Sequence, residues 1–312
     1  MTAYTHIPVL KEEIIKFLNI KNGGIYVDCT AGRGGHIEGM LGAGAKGIKI
    51  IGIDKDPNNI DFLKKKFADS KEVTLVHSDY KFLVDILQFY NIDKIDGIIF
   101  DLGFASIHID DASRGFSFAK DGPLDMRYNT EQSFKAEDLV NDYSERELGR
   151  IIKDYGEEKF FKNIARQIVK ARAEKRITST TELKEIIHRS IPAKFKAGKN
   201  IDPATKTFQA IRIEVNSEFE SLEQVLPDAI KALNKDGRFC AISFHSIEDR
   251  IVKQTINKAV SPCSCPKGLV QCVCGKTPIL KWIVRTPLTA SKEELSLNPR
   301  SRSAKLRVAE KI

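Results

Sequence analysis

The sequence predicts an open, mostly parallel α/β sheet interrupted by an all-helical insertion, and three observations carry that expectation. Over roughly the first hundred residues, short apolar runs alternate with helical periods, as in repeated strand-helix-strand units. Three of those runs close on an acid, Asp28, Asp54 and Asp101, and a glycine-rich turn follows the first. From about residue 110 the strands stop, and amphipathic helical stretches fill the chain until a new strand near Phe239.

The elements follow in order. Residues 25–28 form an apolar strand and 48–54 a second. A helix over 57–68 has Asp56 as its cap and Pro57 at its first position, where a missing N–H costs nothing. Residues 73–76 and 95–101 read as the third and fourth strands. Beyond the insertion, residues 203–226 read as one helix with Phe208, Ile211, Val215, Phe219 and Leu222 at helical spacing. A strand over 238–244 follows a turn at Asp236 and Gly237, then come a helix over 247–258 and strands over 279–284 and 306–310. The expected division is a discontinuous sheet domain, 1–110 and 213–312, holding a helical domain, 111–212.

Composition narrows the class. A chain of 312 residues, with 42% apolar and 29% charged, is long enough for about two ordinary globular domains. Lys11, Glu12, Glu13 and Lys16 interrupt the N-terminal stretch, and no apolar run nears the roughly 20 residues of a membrane helix, so a cytoplasmic protein without membrane contact is expected. The net charge of +8 is concentrated: residues 159–212 hold 14 Lys/Arg against 4 Asp/Glu. Such a segment either attracts polyanions or is a solvated helix face. Lys170, Arg172, Lys175 and Arg176 are its candidate phosphate contacts.

The run from Asp28 to His36, with Gly32, Gly34 and Gly35, lets backbone approach a ligand closely. A dinucleotide fingerprint would need glycine where Ile37 stands, and no phosphate-loop lysine follows residues 42–47. Asp54, ending the second strand, suits the two hydroxyls of a ribose, or merely caps the next loop. Together these features indicate a nucleoside-containing cofactor without fixing its chemistry.

Longer strings carry a specific resemblance. His6-Ile7-Pro8-Val9-Leu10, the loop from Gly32 to His36, Arg114-Gly115-Phe116-Ser117-Phe118, Asp121-Gly122-Pro123-Leu124-Asp125-Met126-Arg127, Ser243-Phe244-His245-Ser246-Ile247-Glu248-Asp249-Arg250 and the run from Asn298 to Val308 stand in the order of the RsmH (MraW) family. The chain resembles that family over essentially its full length. The resemblance implies a class I, Rossmann-like methyltransferase fold, S-adenosyl-L-methionine as cofactor, and N4-methylation of a decoding-centre cytosine in 16S rRNA of the small ribosomal subunit, with no obligate protein partner. By the same resemblance, cofactor contacts fall on Gly34, Gly35, His36, Asp54, Tyr80, Asp101 and His108. The chain departs from the family at His108, where glutamine is usual, at Ala105 (serine), at Asp202 (histidine) and at Lys206 (arginine).

The cytosine amine is a weak nucleophile because its lone pair is shared with the ring, so an acceptor for its N–H would help. Asp101, Asp125 and His245 are the candidates, each also readable as a structural hydrogen-bonding residue. Cys263, Cys265, Cys272 and Cys274 form two C-x-C pairs, tighter than the spacing usual for structural zinc, and are read as a reduced loop without metal. Cys29 and Cys240, in apolar runs, read as core. Arg300, Arg302, Lys305 and Arg307 suit phosphate contact or a charged edge strand. Besides the RNA methyltransferase, an NAD-type oxidoreductase and a non-catalytic RNA-binding protein remain as alternatives.

Overall fold

The computed structural model describes residues 8–103, 106–195, 202–266 and 273–312. The chain runs α1 (Lys11–Leu18), β1 (Ile25–Asp28), α2 (Gly35–Leu41), β2 (Lys49–Asp54), α3 (Pro57–Lys66), β3 (Val73–His77), α4 (Leu83–Phe89) and β4 (Ile95–Asp101). Six helices follow: α5 (Ser106–Asp110), α6 (Ala136–Asp142), α7 (Glu145–Asp154), α8 (Phe161–Glu174), α9 (Thr180–Ser190) and α10 (Thr205–Asn216). The last part holds α11 (Glu218–Ala232), β5 (Leu233–Ser243), α12 (Ser246–Val260), β6 (Leu280–Leu288), α13 (Lys292–Leu297) and β7 (Lys305–Lys311).

Two compact units divide the chain, residues 1–103 with 220–312, and residues 104–219. The first contains a seven-stranded sheet of order β3-β2-β1-β4-β5-β7-β6. Strands β1 to β5 pair in parallel, while β7 runs antiparallel to both β5 and β6. This is the class I methyltransferase sheet. Alternate residues face opposite layers. Val27, Ile51, Ile53, Ile98 and Phe100 pack with α4, α11 and α12, whereas Tyr26, Ile50 and Ile99 pack with α1, α2 and α3. Both faces are thus covered, which is why the parallel strands read as unbroken apolar runs.

The second unit has its own core, in which Leu139 and Val140 of α6, Leu148, Ile151 and Ile152 of α7, Ile164 and Ile168 of α8, Leu183 and Ile187 of α9, and Phe208 and Ile211 of α10 are buried. Ser144 and Ser179 cap α7 and α9, each with the reciprocal glutamate three residues on. This unit begins before residue 111 and continues past residue 212, because α10 buries Phe208, Ile211 and Val215 in its core and Arg212 pairs with Glu218 at 2.7 Å.

Some expected elements differ. The helix expected over 203–226 is two helices, α10 and α11, separated by Ser217 in the left-handed region at φ 51. The turn at Asp236 and Gly237 lies inside β5, as an irregularity where Ile95 pairs with Leu233 but Gly97 with Arg238. The final strand is not an edge: β7 lies between β5 and β6. Helix α1, unread in the sequence, buries Ile14 and Leu18 against the sheet.

Candidate active site

Strand order reverses about β1, whose neighbours are β2 and β4. In open α/β sheets that switch point, at the carboxyl ends of the strands, is where ligands bind. Asp28, Asp54 and Asp101 are the last residues of β1, β2 and β4.

The loop after β1 is shaped by close approach. Gly34 sits at φ 76, and a Cβ there would lie 2.6 Å from the Phe67 ring and 2.7 Å from Leu63. A Cβ on Gly35 would meet Pro8 at 2.0 Å, which gives Pro8 of the N-terminal motif a packing role; His6 and Ile7 lie outside the described residues. Lys66 donates to the Arg33 carbonyl at 2.8 Å, and the Arg33 guanidinium lies 3.3 Å from the centre of the Phe62 ring, so α3 buttresses the loop from outside.

Asp54 ties this loop to the next. Its Oδ2 accepts the Gly32 N–H at 2.7 Å and its Oδ1 the Asp56 N–H at 2.8 Å, with the Asn59 amide at 3.3 Å from both oxygens. The carboxylate therefore performs the loop-capping role, and a ribose would share its remaining lone pairs. Asp79 follows β3, accepts from Lys55 at 2.9 Å, and precedes Tyr80, whose ring meets Phe100 edge-on at 5.9 Å. Lys55 and Asp79 were missed in the sequence, where nothing distinguished them from surface charges.

At the centre Asp28, Thr30, His36 and Asp101 form one polar cluster. Asp28 Oδ1 accepts the Thr30 N–H at 3.0 Å, and the Asp101 N–H donates to Thr30 Oγ1 at 2.7 Å. His36 Nε2 lies 3.5 Å from Asp101 Oδ2. Asp28 Oδ2 and Asp101 Oδ1 are buried atoms with no hydrogen-bond partner among the described residues. Burial pushes the Asp28 carboxyl up to about 6, against the charge of His36. His36 is also buried, which lowers its pKa, but the neighbouring carboxylates of Asp101 and Asp28 outweigh this and raise it. Two unsatisfied acid oxygens beside a glycine cradle fit a cationic ligand with a nucleoside portion, such as a sulfonium nucleoside. Asp28 and Thr30 were not picked from the sequence; an acid ending a strand and a hydroxyl two residues on were the available signal.

His245 caps α12: its ring accepts the Glu248 N–H, and Nε2 lies 3.0 Å from Glu248 Oε1. Glu248, itself buried, accepts the Phe244 N–H at 2.9 Å.

Asp125 and His108 belong to the unit of residues 104–219. Arg127 grips Asp125 with Nε at 3.0 and 3.1 Å and Nη2 at 2.6 Å, so this acid locks a turn. His108 is buried, stacked on Phe116 at 4.9 Å between centroids and tilted against Tyr128 at 5.4 Å. Asn216 holds the same turn, accepting the Tyr128 N–H at 2.8 Å and donating to the Met126 carbonyl at 2.7 Å.

Of the four cations expected to meet phosphate, three are engaged within the unit. Arg172 donates to the Val140 carbonyl at 2.7 Å, Lys175 pairs with Glu182 at 2.8 Å, and Arg176 faces Glu137, Asp138 and Asp142 at 2.9, 3.3 and 3.3 Å. Lys170 is exposed, and on the same helix so are Arg166 and Lys162, one and two turns before it. Arg166 meets only Glu145, at 3.9 Å, among the described residues. In the tail, Arg307 is buried and held by Asp249 at 2.6 and 3.0 Å, so it contributes to the sheet. Lys206 donates to the Glu157 carbonyl at 2.9 Å. Cys29 and Cys240 are buried, and burial pushes the Cys240 thiol up to about 12. No helix among the described residues is long and apolar enough to cross a membrane.

The chain is 52% identical over 309 residues to a protein from Clostridium botulinum (strain Loch Maree / Type A3) named ribosomal RNA small subunit methyltransferase H, covering 99% of both. It is 48% identical to one of the same name from Caldicellulosiruptor saccharolyticus, covering 99% of this chain and 100% of that one. Among solved structures it is similar to an rRNA-methylase of Clostridium thermocellum, with a TM-score of 0.43 and 12% identity, covering 97% of this chain and 95% of the other. The profile of the MraW methylase family matches residues 3–312. The chain therefore belongs to the MraW methylase family, whose methyl donor is S-adenosyl-L-methionine.

Proposed function

We propose that this protein methylates N4 of a cytosine in the decoding centre of 16S rRNA, within the small ribosomal subunit and in the cytoplasm, using residues 104–219 to recognise the RNA. The observation that carries the chemistry is the buried Asp101 Oδ1, without a hydrogen-bond partner among the described residues, at the carboxyl end of β4. The names of the relatives support small-subunit rRNA as the substrate class.

When bound, the sulfonium donor supplies an already activated methyl group. The task of the chain is to align the amine and keep its lone pair available, which can account for several kcal/mol of barrier. Asp101 Oδ1 accepts an amine N–H, drawing electron density back onto nitrogen as the new N–C bond forms. The proton released from nitrogen passes to this oxygen and then to solvent. His36, against Oδ2, holds the carboxylate in place. Asp54 and the Gly32–Gly34 turn position the nucleoside, while the target base must be unstacked to reach the site. Lys162, Arg166 and Lys170 offer phosphate contacts along α8. An oxidoreductase reading loses its ground at Ile37, which is fully buried where the third glycine would stand.

The test is transfer of labelled methyl from S-adenosyl-L-methionine to small subunits lacking the modification, followed by nucleoside mass spectrometry. N4-methylcytidine is expected, and Asp101→Asn should lower kcat by roughly a hundredfold or more while still binding the donor. Methylation at another atom refutes the specificity. Cofactor binding without transfer favours the RNA-binding alternative. A variant with normal kcat and weakened donor binding removes Asp101 from the chemistry.

A further inference from the structure

The cysteine loop is not used by the chemistry above, yet the chain closes it carefully. Helix α12 ends at Val260 and β6 begins at Leu280. The two ends are clasped where the Ile279 N–H donates to the Ala259 carbonyl at 2.9 Å, and the Ile312 N–H to the Ile279 carbonyl at 3.2 Å.

Within it, the sulfur atoms of Cys263, Cys265 and Cys274 all lie within 4.8 Å of one another. Tetrahedral zinc with sulfurs at ~2.3 Å sets them about 3.8 Å apart, so closing on an ion needs shifts of about 1 Å. Two further features suit thiolates. The Val273 N–H donates to Cys265 Sγ at 3.4 Å, and such donors stabilise sulfur that carries charge. Gly275 sits at φ 64 immediately after Cys274, with nothing within 4 Å of where a Cβ would be, so the glycine serves the backbone turn. The C-x-C spacing alone argued against chelation, because one intervening residue strains a pair. The fold brings Cys274 of the second pair up to both sulfurs of the first, so chelation does not rest on the Cys263–Cys265 pair alone. Cys272 lies outside the described residues, and three thiolates carry the case without it.

We infer that Cys263, Cys265 and Cys274 bind a soft, tetrahedral divalent ion, zinc in the cell, as a cross-link that fixes the loop over 261–279. Thiolate donors select zinc over the hard cations. On binding, three S–H groups give their protons to solvent as three S–metal bonds form, so affinity falls as pH falls. No redox change is involved, and the ion has no part in methyl transfer.

The experiment is elemental analysis of the full chain produced with zinc in the medium and purified without chelator, joined to thiol titration with Ellman's reagent. Because Cys29 and Cys240 are buried, the reagent reads the loop. One zinc per chain is expected, with loop thiols that react slowly until a chelator is added. Cys263→Ser, Cys265→Ser and Cys274→Ser should each lose most of the zinc while retaining donor binding, the sign that they remain folded. Zinc well below one per chain, thiols equally reactive before and after chelator, a disulfide in freshly reduced protein, or zinc retained in the triple variant would each overturn the inference.

Discussion

At the residue scale, the most consequential side chain is Asp28, which the sequence reading noted only as a strand end. The folded protein holds its proton more tightly than the unfolded chain does, since burial pushes it up to about 6 from an ordinary 3.8. A raised acid makes stability fall as pH climbs between those two values, and the loss persists above them. His36, also raised, stabilises the fold below its ordinary 6.5 and ceases to do so as pH passes its folded value. Asp28 therefore withdraws on the order of 3 kcal/mol between about pH 4 and 6, whereas His36 withdraws its contribution only above its ordinary 6.5. Asp28→Asn keeps an acceptor for the Thr30 N–H and removes the buried charge. Its thermal midpoint should be flatter than the parent's across about pH 4.5 to 7.5, and higher at the upper end. An unchanged pH profile would show that the cluster keeps its charge solvated by other means.

At the element scale, helix starts decide two functional questions. If His245 is the cap of α12 that its geometry describes, His245→Ala loses the cap and leaves the buried Glu248 without its ring partner. A loss of about 1 to 3 kcal/mol in chemical denaturation is expected, with kcat near normal at temperatures where the protein is folded. A collapse of kcat in a protein of unchanged stability would place the imidazole in the chemistry instead. On α8, Lys162, Arg166 and Lys170 stand on one face, whereas Arg176 is committed to α6. Replacing those three with alanine should reduce the slope of log affinity against log salt for the ribosomal subunit by about 2 to 3. Arg176→Ala should cost stability and leave the slope nearly as it was, and the reverse pattern would move the RNA contact to the end of α8. Part of this was legible in advance: Asp56 caps α3 with its carboxylate on the Asn58 N–H at 2.9 Å, as the Asp-Pro pair indicated. The fate of the cations was not, because Glu137, Asp138 and Asp142 lie some 35 residues away in sequence and meet Arg176 only in the fold. Nor was the break at Ser217, where a residue other than glycine or proline takes the left-handed conformation.

At the scale of the whole molecule, the sheet was readable because parallel strands buried on both faces are apolar throughout and end on acids at the ligand edge. The boundaries of the insertion were less so, since α10 carries the same helical period on into α11. Residues 104–219, with their own buried cluster, should fold when expressed alone, giving a single cooperative melt and dispersed amide resonances. A molten, non-cooperative product would mean that this core depends on the remainder of the chain.

The pairing of β4 with β5 joins residues 95–101 to 233–242 across the entire insertion, and β7 enters the sheet between β5 and β6. Half of the sheet can assemble from β1 to β4 early, but its second edge waits for strands far along the chain, the high contact order that makes folding slow. Until β5 arrives, β4 is an open template for other chains, and Ile98, Ile99 and Phe100 lie along it. Conditions that delay the later half should therefore show themselves first as aggregation of newly made protein, before any catalytic group is lost.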